Sequence, residues 1–298
     1  FAWGQRAHHT ICDAAVFLVK EPGLRNFLQN KPNMMGHLCN IPDIHWKNLG
    51  PDARKFGDTA HFVDTEVLGI QINLIPTDYS EIITKYTGTE NKFEKGPIVS
   101  IPKEFGSNWW RADQFIRRAV ESGKNLSTAT PPSTPKEESD ANFPFNKYVF
   151  DFVVNLGLSG HFVADNSQPF HLSADYDGYH AGHGGIHGYY EDSVVAALPY
   201  DLQAKVVREA QNIQAMRFSK NEKKKALSKF LTEKTVVEKM RGLAELSFAD
   251  LSKVLKLDPV TKKSEFKTEK GKTVKTPAER KPAETVAKAY ESLVVLEM

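Results

Sequence analysis

Apolar residues recur at three- and four-residue intervals through most of this chain, whereas the two-residue alternation of a half-buried strand is scarce. From about Ala7 to Val19, the residues Ile11, Cys12, Ala15, Val16 and Val19 fall at helical intervals from His8. That spacing predicts a helix with His8 on its buried face. A second amphipathic helix is expected over 108–122, where Trp109, Trp110, Phe115, Ile116 and Ala119 form the apolar stripe. The stretch 145–165 is apolar on nearly every side, as expected of a central helix surrounded by others. Further helices are predicted over 188–198, 202–216, 223–248 and 283–297. Residues 127–146 read as a Pro- and Ser-rich loop around Pro131, Pro132 and Pro135. Residues 262–282 read as a Lys-rich insertion before the final helix, with Glu269-Lys-Gly-Lys suited to turn a short hairpin at Gly271. The pattern predicts an all-α fold, a single multi-helix domain over residues 1–298 without internal repeats.

Composition narrows the class. Hydrophobic residues make up 40% of the 298, enough for a substantial core. The 39 Lys and Arg nearly cancel the 37 Asp and Glu, which excludes nucleic-acid binding by bulk basicity. The imbalance is local: 262–282 carries eight Lys and Arg against three acids. Its bland reading is a solvated insertion, and its sharper one a patch for phosphate-rich polymers or anionic lipid headgroups. No run approaches the roughly 18 uninterrupted apolar residues of a membrane span, so a soluble protein is expected. Phe1-Ala2 before Trp3 has the form of a signal-peptide end cut after Ala2, which predicts a secreted or periplasmic protein starting at Trp3. In that compartment Cys12 and Cys39 are able to pair, and two cysteines alone cannot build a zinc finger.

The candidate chemistry lies in histidines near carboxylates. His161 and Asp165 are four residues apart on the predicted central helix and project from one face; His187 and Glu191 repeat the spacing. Gln168-Pro169-Phe170 breaks the first helix and delivers His171. Asp43, His61 and His8 complete the set. A surface ion pair gives the same spacing, but here it falls on the most apolar helix of the chain, where a buried imidazole and carboxylate need strong compensation. A divalent cation supplies it, and nitrogen and oxygen donors without thiolate suit zinc first.

The run His161-Phe-Val-Ala-Asp165-Asn-Ser-Gln-Pro-Phe-His171, preceded by Leu156-Gly-Leu-Ser159 and followed by Gly185-Ile-His187-Gly-Tyr-Tyr-Glu191, resembles the core of the bacterial zinc-dependent phospholipases C. The same superfamily includes the fungal single-strand-specific zinc nucleases. The resemblance covers scattered motifs from Trp3 to about Val195, and it implies a mostly helical protein around three zinc ions. It implies one zinc on Asp43, His61, His161 and Asp165, and a second on His171, His187 and Glu191. The third would take Asp165 as a bridge, His8, and the backbone amine and carbonyl of an amino-terminal Trp3, so cleavage before Trp3 is expected to be needed for full zinc content. Three carboxylates against three Zn²⁺ leave such a site cationic, able to hold hydroxide and an anionic phosphate together.

The expected activity is phosphodiester hydrolysis by a metal-bridged hydroxide, with Asp43 both ligand and candidate proton acceptor. A phospholipase C releasing diacylglycerol and a phosphorylated headgroup at a membrane surface is favoured by Leu156-Gly-Leu-Ser159, by Glu191 as last ligand and by the short interval from His171 to His187. A single-strand-specific nuclease or 3′-nucleotidase is the alternative, supported by the short spacing from Trp3 to His8 and by the Lys-rich segment. A noncatalytic zinc-stabilised binding protein is the minor one. A monomer without an obligate protein partner is expected. His180 and His183, in the loop between ligands, are candidates to contact substrate or to line the entrance, and Asp64 to orient His61. His9, His37 and His45 are not expected to be ligands. Ser159 lies in no nucleophile elbow, and no Gly-rich phosphate loop is present.

Overall fold

The computed structural model describes residues 3–31, 33–269 and 272–298. Helices dominate, as the pattern predicts, and the long ones are α1 (Gln5–Phe17), α2 (Asn108–Thr128), α3 (Pro144–Ser167), α4 (Leu202–Met216), α5 (Val236–Leu257) and α6 (Ala287–Glu297). None is long and apolar enough to cross a membrane. The central position falls to α3. Pro144 opens it, where a missing N–H costs nothing, and Gln168-Pro169 ends it. It supplies a residue to each of three hydrophobic clusters: Ala164 to one with Trp3 and Tyr190, Phe162 to one with Trp109 and Ile98, and Val153 to one with Cys12 and Cys39.

Two glycines let other segments come close to α3. A Cβ on Gly157 would stand 2.4 Å from Leu38 Cβ, and one on Gly160 would stand 2.7 Å from Cys12 Sγ. Glycine inside a helix costs up to about 1 kcal/mol each. Here it admits helix Met34–Cys39 and α1 directly onto the α3 backbone. Cys12 and Cys39 are joined in a disulfide, which ties those two helices together beside His8.

The structure corrects the predicted elements in several places. The helix expected over 223–248 is two helices, Glu222–Leu227 and α5, separated by a 3-10 turn at Lys229–Thr232. Thr235 and Glu238 form a reciprocal capping box that starts α5 afresh, so the chain turns instead of continuing. The expected loop 127–146 contains a short helix, Pro135–Ser139, begun by the same device at Thr134 and Glu137, and α2 runs on to Thr128. The segment before residue 108, left largely without elements by the periodicity, folds into short helices such as Pro22–Gln29, Pro51–Gly57 and Tyr79–Tyr86.

In the Lys-rich insertion, strands β1 (Val260–Lys262), β2 (Glu265–Glu269), β3 (Lys272–Thr276) and β4 (Glu279–Arg280) form two antiparallel pairs, β1 with β4 and β2 with β3. The predicted turn residue Gly271 lies outside the described residues, as do Phe1 and Ala2 of the predicted cleavage site. The base of this insertion is bolted to the loop before His187. Arg280 forks onto Asp258, with Nε 2.7 Å from Oδ1 and Nη2 3.0 Å from Oδ2, and it also donates to the carbonyls of His183 and Gly184. The Asp258 side chain is fully buried. Breaking a buried pair strands its partner, so Arg280→Met is expected to destabilise the protein by about 3–5 kcal/mol in chemical denaturation. An unchanged midpoint would show that the pair holds nothing.

Candidate metal centre

Six elements deliver the predicted ligands to one region. On α3, His161 and Asp165 project from the same face, and both are fully buried. Alpha-helical α1 brings His8, the short helix Ile41–Ile44 brings Asp43, and the turn after Asp58–Ala60 brings His61. His171 stands on the 3-10 turn Pro169–Leu172. His187 lies on Ile186–Gly188, which runs directly into a π-helical turn, Tyr189–Val194, holding Glu191. Such turns are rare and recur at functional sites.

Three groups of side chains result, each with its ligand atoms within 4.8 Å of one another: His8, His161 and Asp165; Asp43, His61 and His161; and His171, His187 and Glu191. The last matches the second expected site residue for residue. In the other two, His161 is shared. Asp165 spans them: Oδ1 lies 3.2 Å from His8 Nε2, while Oδ2 lies 2.9 Å from His61 Nδ1 and 3.3 Å from His161 Nε2. Asp43 is similarly placed, with Oδ2 3.8 Å from His8 and Oδ1 3.8 Å from both His61 and His161. In the third group, His187 Nε2 lies 2.8 Å from Glu191 Oε2 and 3.1 Å from His171 Nε2.

Backbone carbonyls settle which ring nitrogens carry protons. His161 Nδ1 is 2.7 Å from the carbonyl of Cys39, and His171 Nδ1 is 2.6 Å from that of His61. A carbonyl only accepts, so each Nδ1 carries the hydrogen and each Nε2 offers its lone pair to the cluster. Two nitrogens therefore face neighbouring imidazole nitrogens at hydrogen-bond distance: His161 Nε2 with His61 Nδ1 at 3.0 Å, and His171 Nε2 with His187 Nε2. In addition, the buried Glu191 Oε1 has no hydrogen-bond partner, and His8 Nε2 and Asp165 Oδ1 face each other at 3.2 Å without forming a hydrogen bond. Converging lone pairs and orphaned buried oxygens are costly in a protein interior, and a divalent cation satisfies both. The residues fit a metal ion, and the chain's His, Asp and Glu groups can hold one.

The electrostatics carry the same imprint. Burial, with neighbouring charge, holds His171 and His187 down at about 3, so both are neutral donors at physiological pH. Burial pushes Glu191 well above the usual carboxylate range. Asp165 and Asp43 are shifted the other way: against the upward push of burial, the adjacent imidazoles of His161 and His171 hold Asp165 well below the ordinary value, and His161, His8 and Lys47 hold Asp43 at about 2.

Three residues of the cluster, His61, His171 and His187, line a cleft of about 590 Å³. Lys47, Arg54 and Lys103 place three cations around it, Asp58, Asp64, Glu94 and Glu104 four acidic side chains, and Phe62, Phe93 and Tyr176 aromatic rings. Lys47 Nζ is also 2.5 Å from Asp43 Oδ1. The sequence reading passed over these wall residues; the i, i+4 spacing of Asp43 and Lys47 was the available signal.

The remaining candidates are distributed as follows. Trp3 is fully buried, donating from its indole to Ser167 Oγ, and Gly4 packs against the Glu191 carbonyl and the Asp192 carboxylate, so the first described residues run beside the Glu191 group. Asp64 lines the cleft, its carboxyl pushed well up by burial and by Glu66 and Glu94. His180 meets Phe93 of the cleft wall edge to face. His183 points elsewhere, its Nδ1 2.8 Å from Asp258 Oδ2 in the Arg280 bolt. His9 pairs with Asp13 and abuts His37. Compared with known proteins, the chain matches no family model, no curated protein and no solved structure.

Proposed function

We propose that this protein is a zinc-dependent phosphodiester hydrolase of the type its motifs resemble, a phospholipase C acting on glycerophospholipids. The observation that carries the reading is the convergence of eight predicted ligand side chains, three of which, His61, His171 and His187, line an open cleft. A purely structural zinc site is closed on all sides by protein ligands, whereas here His61, His171 and His187 face the cleft. Three ions would be held by Asp43, His61, His161 and Asp165; by His171, His187 and Glu191; and by His8 with Asp165 and the Trp3 backbone. Bound there, zinc supplies Lewis acidity toward phosphoryl oxygens and brings the pKa of water toward neutrality.

The chain's own residues do the rest. Lys47, Arg54 and Lys103 offer a phosphodiester its cationic contacts, on a wall that also carries Asp58, Asp64, Glu94 and Glu104. Asp43, kept ionised by His161 and its other cationic neighbours, is oriented by Lys47. Asp64, on the same wall as His61, is kept ready to take up a proton, so the two carboxyls have opposite characters, as acid and base roles require. The Leu156-Gly-Leu-Ser159 and Glu191 features favour lipid. Phe93, with His180 on its edge, offers a ring on which a base can stack, and this keeps a single-strand nuclease or 3′-nucleotidase as the second reading.

The test is turnover by zinc-loaded protein beginning at Trp3, offered phosphatidylcholine micelles and single-stranded DNA separately, with and without chelator. Chelator-sensitive release of phosphocholine with intact DNA is expected. Cleaved DNA with untouched lipid would replace this reading with the nuclease, and inertness toward both would leave a zinc-stabilised binding protein. On the active substrate, Asp43→Asn is expected to keep the fold and lose at least about a hundredfold in turnover; a near-normal rate would remove Asp43 from the chemistry.

A further inference from the structure

The ligands His171, His187 and Glu191 share a fully buried neighbour that is not itself a predicted ligand, Gln168. Pro169 disfavours helical backbone in the residue before it, and Gln168 accordingly leaves α3 in an extended conformation, φ −91° and ψ 118°. That break sets Gln168 at the N-cap of the 3-10 turn Pro169–Leu172, where its side-chain Oε1 accepts from Phe170 N–H at 2.5 Å. Its backbone carbonyl accepts from His171 N–H at 3.0 Å. Phe170, on the same turn, lays its ring along that of His187, with centroids 5.8 Å and planes 26° apart.

The other end of the amide reaches the third ligand. Phe170 N–H can only donate, so the atom facing it is the amide oxygen, and Nε2 is left to donate to Glu191 Oε2 at 3.1 Å. The same Oε2 lies 2.8 Å from His187 Nε2. Glu191 is fully buried, so solvent cannot supply the donor that Gln168 gives it. We propose that Gln168 is a positioning residue for this metal group: one amide holds the Glu191 carboxylate in place beside His187 and caps the turn that presents His171. The inference rests on the zinc reading above. The task needs an acceptor and a donor at the end of one side chain of this length. Methionine matches the length and offers neither, whereas asparagine, one methylene shorter, keeps the cap on Phe170 and falls short of Glu191. Gln168 is not among the residues lining the cleft, so its influence on a substrate runs through the metal.

The test is titration of the metal-free chain beginning at Trp3 with zinc, in competition with a chromophoric chelator. The wild type is expected to take three ions and Glu191→Ala to lose one, which marks the ion of this group. Gln168→Met and Gln168→Asn are each expected to bind that ion about 10- to 100-fold more weakly, and the other two as the wild type does. A general loss of packing would not single out one ion. Gln168→Asn separates the hold on Glu191 from the cap, and it carries the test should Gln168→Met fail to fold. Wild-type zinc affinity in folded Gln168→Asn would overturn the hold on Glu191, and wild-type affinity in both variants would overturn the positioning role altogether. A wild type that takes no ion at His171, His187 and Glu191 would overturn the zinc reading itself, and this inference with it.

Discussion

Asp165→Ala is expected to strip the protein of two of the three metal ions proposed for it and to reduce turnover by at least about a thousandfold. Asp165 holds an oxygen on each side of the His161 cluster, Oδ1 3.2 Å from His8 and Oδ2 2.9 Å from His61 and 3.3 Å from His161, closer than the 3.8 Å at which Asp43 meets the same three imidazoles. It is fully buried, so no water can take its place without repacking. Removing it leaves three imidazoles and the partly exposed Asp43 to hold two dications with half the local negative charge. The group formed by His171, His187 and Glu191 shares none of these contacts and is expected to keep its ion. Elemental analysis of the purified variant, paired with the turnover assay, checks both halves. Retention of all three ions would mean that Asp165 is a structural partner of the histidines and not a bridge.

Removing the metal altogether is expected to lower the thermal midpoint by at least about 10 °C, with recovery on adding zinc. The reason lies in what the ions compensate. Without them, Glu191 remains buried with an unpartnered oxygen, Asp165 Oδ1 and His8 Nε2 face each other without a hydrogen bond, and the Nε2 atoms of His171 and His187 lie 3.1 Å apart. Loss of a few kcal/mol is enough for such a shift in a protein of this size. Acid should compound it. Burial holds His171 and His187 at about 3 in the folded chain, against the ordinary 6.5 when unfolded. A depressed folded value means that the unfolded state binds more protons below 6.5, so the stability of the metal-free protein falls as pH drops from about 6.5 toward 3. Scanning calorimetry before and after chelator dialysis, at pH 7.5 and 5, tests both effects. An unchanged midpoint would mean that the ligand cluster is satisfied without metal.

Much of the site was legible because its pieces are local. His161 with Asp165, and His187 with Glu191, lie one turn apart on helices announced by their own apolar periodicity, and Pro169 marked the break that carries His171. The helix α4 was readable to the residue for the same reason. The convergence of His8, Asp43 and His61 on α3 is a tertiary event, and no spacing encodes it; only the motif resemblance joined them. Short helices before residue 108 escaped because four to eight residues give the hydrophobic period little room to repeat. The break before α5 was marked by Thr235 and Glu238, a capping signal outweighed by a helical pattern running through it. The cleft wall was hidden for a different reason: Arg54, Lys103 and Phe93 come from separate loops, and a cation or ring in a loop looks like any other until the fold places it over a histidine cluster.

The central claim is that three metal ions occupy this ligand cluster, and crystal diffraction at the zinc absorption edge tests it most directly. Three anomalous peaks are expected: one among Asp43, His61, His161 and Asp165, one among His171, His187 and Glu191, and one between His8 and Asp165. Crystals of zinc-supplemented protein that show no anomalous peak at these residues would contradict it.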